Sequence, residues 1–263
     1  MARASTWDRV STAYAAHIAP VFEGYARDAL ALAALPKGAT VVDVAAGPGT
    51  LALLAAEAGH MVTAVDISPK MIDALRAERD RRGVAVEAVV GDGLALPLPN
   101  AHFAGAFSMF GLIFYTDRAA GLREMHRVLA PGGRVVISSW VPVEELPFLS
   151  AMFGALGELV PLPPGAPEAP MATAAACLDE LTQAGFIDIR TERAVYAFEA
   201  PTLAELWAWF PDSCAPLGMV REHTGAAFAG ISQAILERLT TRFGAGPVRV
   251  EMPALITVGT RLE

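Results

Sequence analysis

Val41-Val42-Asp43-Val44-Ala45-Ala46-Gly47-Pro48-Gly49-Thr50 sets a carboxylate inside a hydrophobic strand, just before a Gly-x-Gly turn that opens an apolar helix. An acid in such a strand needs a partner. The glycines permit positive φ and close approach of a ligand, and the helix that follows offers unpaired N–H groups at its start. Together these parts suit a small ligand carrying a cation and hydrogen-bond acceptors better than a purely anionic phosphate.

Outward from this turn, apolar β-branched runs at 40–45, 61–65, 84–90, 103–109 and 133–139 alternate with helical segments, which predicts βαβ units on a parallel sheet. The runs are hydrophobic almost throughout, so they are expected to be buried on both faces and covered by helices. Ser68-Pro69 has the form of an N-cap with proline at the first helical position, and Thr116 or Asp117 can cap a helix running through Leu129. Pro131-Gly132-Gly133 is then expected to end that helix. After Trp140, closely spaced prolines, among them Pro142, Pro147, Pro161, Pro163, Pro164, Pro167 and Pro170, predict an irregular cap insertion.

Further on, the pattern predicts a helix over 173–184, a strand over 186–198, and a helix opened by a Thr202/Glu205 capping box and ended by Pro211. Phe228, Ile231, Ile235 and Leu239 recur at helical spacing within a helix over 221–243, and 248–260 closes as a strand. Tyr14, Ile18, Phe22 and Tyr25 share one face of a helical N-terminal segment. The expected organisation is an N-terminal helical cap segment over 1–36, a ligand-binding core over 37–140, a Pro-rich cap insertion over 141–172, and completion of the sheet with further cap helices over 173–263.

Composition narrows the partners. Twenty Lys+Arg against 28 Asp+Glu give a net charge of -8, which argues against a surface built to neutralise nucleic-acid phosphates. Cys177 and Cys214 are too few for a disulfide framework and lack zinc-ligand spacing, so no metal is expected and reduced thiols in a cytoplasmic protein are the simplest reading. No secretory signal and no membrane-spanning run is visible.

Three acids mark the carboxyl ends of the first three strands, Asp43, Asp66 and Asp92, and that rim is where open α/β sheets bind ligands. Asp66 follows the second strand at the distance from the glycine turn where a carboxylate accepts both hydroxyls of a ribose. Asp92, in Gly91-Asp92-Gly93, can accept from an exocyclic amine. Gly47-x-Gly49-x-x-Ala52 also meets the loose dinucleotide fingerprint, so an NAD(P)- or flavin-dependent oxidoreductase is an alternative. A pyrophosphate beside Asp43 would bring like charges together, whereas an α-ammonium would be attracted. Ammonium, ribose and adenine at the three acids in turn describe S-adenosyl-L-methionine.

With VVDVAAGPGT, AVDISPKMIDAL, VVGDGLALPLPNAHFAGAFSMFGL and LREMHRVLAPGGRVVISSW in this order, the sequence resembles the class I S-adenosylmethionine-dependent methyltransferases, in particular the small-molecule group similar to ubiquinone/menaquinone C-methyltransferases. Ala45-Ala46 departs slightly from the group's usual first motif. The resemblance implies an α/β, Rossmann-like fold: a seven-stranded, mostly parallel sheet with helices on both faces, an antiparallel last strand and a helical cap over the ligand edge. It also implies Gly47 and Gly49 along the methionine part of the cofactor, Asp66 on the ribose, Ile67 and Met71 around adenine, Asp92 and Gly93 at its edge, Ser108 near the methionine carboxylate or amine, and Tyr14 closing over the site.

Phe110, Tyr115, Trp140, Phe148, Phe153, Trp207, Trp209 and Phe210 are candidates for an apolar acceptor pocket. Trp207 and Trp209 cannot both face one side of a regular helix. The expected activity is methyl transfer to a small, hydrophobic metabolite held in line behind the methyl group at roughly 3 Å. The chain is read as a monomer or homodimer, with neither nucleic acid nor membrane as partner. No catalytic base is identified; His17, Tyr115 and His223 are the candidates within reach of the cap, while His60, His102 and His126 read as structural. A protein that binds S-adenosylmethionine without methylating is the remaining alternative.

Overall fold

The computed structural model describes residues 4–160 and 169–262. Pro161, Pro163, Pro164 and Pro167 of the expected insertion lie outside the described residues. The seven strands are β1 (Thr40–Val44), β2 (Met61–Asp66), β3 (Val86–Val90), β4 (Phe103–Met109), β5 (Leu129–Trp140), β6 (Phe186–Ala200) and β7 (Val248–Arg261), in the spatial order β3-β2-β1-β4-β5-β7-β6. The first five strands pair in parallel, and β7 runs antiparallel to both of its neighbours. The strand order reverses between the parallel neighbours β1 and β4, where two crossovers leave a crevice at the strand ends.

Burial explains the hydrophobic runs. In β1, Val41, Val42 and Val44 are sealed, and β4 and β5 are buried along most of their length, whereas the edge strands β3 and β6 carry exposed residues. Helices α2 (Ala19–Ala33), α3 (Thr50–Glu57), α4 (Pro69–Arg82), α5 (Arg118–Val128) and α7 (Ala174–Gln183) pack around the sheet. Their starts follow the expected chemistry. Ser68 Oγ accepts from Met71 N at 3.1 Å and Asp117 Oδ1 from Ala120 N at 2.8 Å.

A second helical layer is built from α1 (Ala4–Ala13), α6 (Pro147–Leu159), α8 (Leu203–Ser213), α9 (Ala215–Thr224) and α10 (Phe228–Phe243). Helix α1 packs on α4, α8 and α9, and α6 packs on α10. Between α1 and α2 the backbone widens into a π-helical turn, Tyr14–Ile18, closed by Ala19 N–H bonding to Tyr14 O. Pro20 gives a reason for it: proline has no N–H and its ring crowds the preceding turn, and an inserted residue relieves both.

Several expectations need correction. Helix α5 stops at Val128, one residue before Leu129, and β5 begins at once, so Pro131-Gly132-Gly133 lies within β5 beside a register shift against β4. Arg261 helps to end the helix, its Nη1 donating to the carbonyls of His126 at 3.1 Å and Arg127 at 3.3 Å. The expected irregular insertion contains the regular helix α6, with Pro147 in its first turn, where the missing N–H has no intrahelical partner to lose. Pro211 does not end α8, which runs two residues past it to Ser213. The helix expected over 221–243 is two helices, broken by Gly225 at φ 55°, ψ -126°, a conformation open to glycine and closed to most residues. Phe228, Ile235 and Leu239 are nevertheless buried as the spacing requires.

Candidate active site

A cavity of about 310 Å³ lies between the carboxyl ends of the strands and the second helical layer. Loops after β1, β2 and β3 form one end of it, through Ala45, Gly47, Asp66, Ile67, Gly91 and Gly93. The other end is almost wholly apolar, with Phe22, Phe110, Trp140, Phe153, Phe198 and Phe210 among its walls.

Asp43 sits 1% exposed in β1. Its Oδ2 accepts from Ala52 N, in the first turn of α3, at 3.1 Å, while its Oδ1 has no partner among the described residues. Burial pushes its carboxyl up to about 8, against the opposing pull of the Ala52 N–H and with a further push from the charge of Asp66. A buried acceptor left open in this way is costly unless a ligand completes it.

Asp66 joins two loops. Its Oδ2 accepts from Gly47 N and its Oδ1 from Ser68 N, both at 2.8 Å. Burial raises its pKa, the two N–H groups oppose the rise, and the charge of Asp8 adds to it. Each carboxylate oxygen keeps lone-pair capacity for a second donor, as a vicinal diol would supply. Asp8 of α1 extends the network, its Oδ1 accepting from Ser68 Oγ at 2.6 Å and Lys70 N at 3.2 Å.

The sequence-expected residues divide by position. Tyr14, Gly47, Asp66, Ile67, Met71 and Gly93 line the cavity. Asp43, Gly49, Asp92 and Ser108 stand behind the wall. Gly49 takes φ 87° as the N-cap of α3, and a β-carbon there would meet Leu75 Cγ at 2.5 Å. Asp92 folds its side chain into a turn, Oδ1 accepting from Leu94 N at 2.9 Å. Ser108 is 1% exposed with its hydroxyl unpartnered among the described residues, directly behind Gly111, where an added β-carbon would lie 3.2 Å from Ser108 Oγ.

Of the acceptor-pocket candidates, Phe110, Tyr115, Trp140, Phe153 and Phe210 line the cavity, and Phe148, Trp207 and Trp209 do not. Trp207 turns to α10, its Nε1 donating to Ser232 Oγ at 2.9 Å, and Trp209 stacks on exposed His17 at a centroid distance of 4.8 Å. His17 and His223 are both exposed and outside the cavity wall. Burial, with the charges of Asp66 and Asp92, raises the pKa of the Tyr115 phenol and so keeps it protonated, which makes it a donor and a poor base. Tyr14 is raised in the same way, by burial and by Asp66 and Asp43.

Ala45 was missed as a lining residue, and the backbone of Phe110, itself an expected pocket residue, was not foreseen. Ala45 lines the cavity at φ 58° and Phe110 at φ 57°, both in the left-handed region that non-glycine residues rarely adopt. Phe110 is held there by its N–H donating to Ser138 Oγ at 2.9 Å and by stacking on Trp140 at 4.2 Å. Nothing in the local sequence signals either conformation. Trp7, which lines the cavity and meets Phe114 edge-on at 5.0 Å, was legible in principle, seven residues before Tyr14 on the same helical stripe.

Among the described residues no cluster of three or more His, Cys, Asp or Glu could hold a metal ion, and no helix is long and apolar enough to cross a membrane.

Residues 41–133 match a family model described as a methyltransferase domain. A demethylmenaquinone methyltransferase of Thermus thermophilus is 38% identical over 115 residues, covering 43% of this chain and 51% of its own length. The chain thus spans about half the length of that relative. The nocamycin O-methyltransferase of Saccharothrix syringae is 26% identical over 277 residues, with 96% of each chain covered. Among solved structures, a phosphoethanolamine N-methyltransferase 2 of Haemonchus contortus in complex with S-adenosyl-L-methionine superimposes with a TM-score of 0.55 at 17% identity, covering 91% of this chain and 52% of that one; this likeness concerns the fold alone. The resemblance read from the four sequence motifs holds: the chain is related to the class I S-adenosylmethionine-dependent methyltransferases, those acting on quinones included.

Proposed function

We propose that this chain, with a methyltransferase domain at residues 41–133, is an S-adenosyl-L-methionine-dependent methyltransferase acting on a small, hydrophobic acceptor. The observation that carries the reading is one cavity with two chemically opposite ends: carboxylate- and glycine-lined loops at one, and an aromatic box at the other. The unpartnered oxygen of Asp43 and the unpartnered hydroxyl of Ser108, both buried directly behind the cavity wall, are groups of the right chemistry for the ammonium and carboxylate of an amino acid seated against that wall. Asp66 has the lone pairs for a ribose diol. A dinucleotide pyrophosphate at the same turn brings no cation to pair with the buried carboxyls of Asp43 and Asp66 and would gain nothing from them, which disfavours the oxidoreductase alternative.

When bound, S-adenosyl-L-methionine supplies a methyl group activated by its sulfonium charge. The chain's own part is orientation and exclusion of water. Tyr14 and Ile18 from the π-helical turn close one side, and Phe110 and Trp140, at the carboxyl ends of β4 and β5, belong to the aromatic wall. Holding donor and acceptor in line in this dry space replaces a bimolecular encounter with an oriented one. The likeness along its whole length to a protein named for O-methylation of nocamycin favours a small-molecule acceptor.

Calorimetry with S-adenosyl-L-methionine and NADH, followed by an acceptor screen for transfer of labelled methyl, tests the proposal. Saturable binding of the former with transfer to a small molecule is expected. Binding of NADH alone would sink it.

A further inference from the structure

Tyr115 has a role that the methyl-transfer reading does not assign. It ends the short 3₁₀ turn Leu112–Phe114, its N–H bonding to Leu112 O at 3.0 Å, and Asp117 opens α5 two residues later, so its backbone is fixed on both sides. Its ring is wedged between two glycines. A β-carbon at Gly93 would overlap the phenol oxygen, and one at Gly121 of α5 would lie 2.7 Å and 2.9 Å from ring carbons. The two glycines therefore leave room for this ring alone. The ring lines the cavity beside Gly91, Gly93 and Ile67.

The hydroxyl forms no hydrogen bond with the described residues, and the charges bearing on it are those of Asp66 and Asp92. A protonated phenol held rigidly at a cavity wall, between two carboxylates already engaged with backbone N–H groups, is a donor without an acceptor. Asp92 has turned its own carboxylate into the loop behind Gly93. The phenol oxygen lies against Gly93, and both residues line the cavity.

We propose that Tyr115 is a cofactor-binding residue whose O–H donates to a ring nitrogen of the adenine base at the Gly91–Gly93 end of the cavity. This rests on the cofactor reading above, and the test separates the two. Affinity for S-adenosylhomocysteine and its 1-deaza, 3-deaza and 7-deaza analogues is measured by calorimetry for the full chain and for Tyr115→Phe, which keeps the ring and its packing. With S-adenosylhomocysteine itself, Tyr115→Phe is expected to bind roughly 5- to 10-fold more weakly, the size of one lost hydrogen bond in a partly buried site. With one of the deaza analogues the full chain and the variant should bind alike, since the acceptor nitrogen is gone. A purely structural ring would not single out one nitrogen.

Gly121→Ala offers a second probe. The change suits a helix interior yet pushes the ring, so it should weaken binding of S-adenosylhomocysteine while leaving far-UV circular dichroism unchanged. Equal affinity of Tyr115→Phe and the full chain for S-adenosylhomocysteine overturns the inference, as does the same loss for all three deaza analogues. If the full chain fails to bind S-adenosylhomocysteine at all, the cofactor reading itself falls, and this inference with it.

Discussion

The two ends of the cavity are built on different principles. At the loop end, Asp66 binds Gly47 N and Ser68 N, and Asp43 binds Ala52 N, so three backbone N–H groups are pinned by two carboxylates. At the aromatic end there is no such framework. Phe110 after β4 stacks on Trp140 from β5, Phe22 from α2 meets both, and Phe198 from β6 meets Phe210 from α8 at 6.5 Å, so the wall is assembled mainly by packing, with the Phe110 N–H to Ser138 Oγ bond as a backbone tie. A carboxylate that collects N–H groups from two loops fixes a geometry that tolerates few substitutions, whereas a packed wall can be resized one side chain at a time. The first end suits a constant ligand and the second a variable one.

The largest expected effect breaks the first end. Asp66→Ala removes the acceptor for two buried N–H groups and the expected ribose contact together. Charged hydrogen bonds contribute about 1.5–3 kcal/mol each, so affinity for S-adenosyl-L-methionine should fall on the order of 100-fold or more by calorimetry. An affinity unchanged in this variant would break the division between a pinned end and a packed end.

The pinned end also predicts a pH dependence absent from the other. Ligand-free Asp43 is raised to about 8 by burial, so it is largely protonated below that pH, and an ammonium favours its ionised form. Binding should therefore release a proton, and affinity should rise by close to tenfold per pH unit from about 6 until it levels near 8, with Asp43→Asn flattening the slope. The stability of the ligand-free protein should move the opposite way. Folded Asp43 keeps a proton that the unfolded chain loses above about 4, so stability falls as pH rises from about 4 towards 8, by about 1.4 kcal/mol per unit at most. Urea melts at pH 5 and pH 7.5, with and without S-adenosyl-L-methionine, check both signs.

The packed end is probed by Trp140→Leu. The indole is half-buried, and the substitution keeps an apolar wall while removing the surface on which Phe110 stacks. Acceptor KM should rise roughly tenfold or kcat fall by a similar factor, with affinity for S-adenosyl-L-methionine within about twofold of the parent. A matching loss of cofactor affinity would show that the two ends are one mechanical unit.

This division also explains what the sequence disclosed. The pinned end is written locally, since Asp43, Gly47 and Gly49 fall within one decapeptide and Asp66 lies at a fixed distance beyond them, so strands β1 to β4 and the wall residues Gly47 and Asp66 were legible from spacing, while Tyr14, Ile67, Met71 and Gly93 came through the family resemblance. The packed end depends on contacts between distant segments. No local pattern shows that Trp207 turns towards Ser232 while Phe210 faces the cavity, and none shows that Phe110 adopts φ 57°. Pro211 and Gly225 misled in opposite directions for one reason. A proline near a helix end costs one hydrogen bond that neighbouring packing can offset, while the backbone angles of Gly225 were invisible until the chain was folded.

Helix α1 links the two ends, and the smallest expected effect tests that link. Asp8 accepts from Ser68 Oγ and Lys70 N at the start of α4, in the loop whose Ser68 N–H binds Asp66, while Trp7 beside it faces Phe114 and the cavity. The helix is thus tied to the pinned end by a carboxylate and to the packed end by a ring. Asp8→Ala releases the carboxylate tie and leaves the ring in place. It also removes a negative charge that raises the pKa of Asp66, so its effect on Asp66 itself is favourable and partly offsets the lost contacts. The net loss of affinity for S-adenosyl-L-methionine should therefore be small, roughly fivefold or less, and should fall mainly on the dissociation rate, because α1 borders the cavity through Trp7. Stopped-flow measurement of dissociation decides it: a faster off-rate with an unchanged on-rate fits a helix that holds the ligand in, whereas unchanged rates in both directions would leave α1 as packing alone.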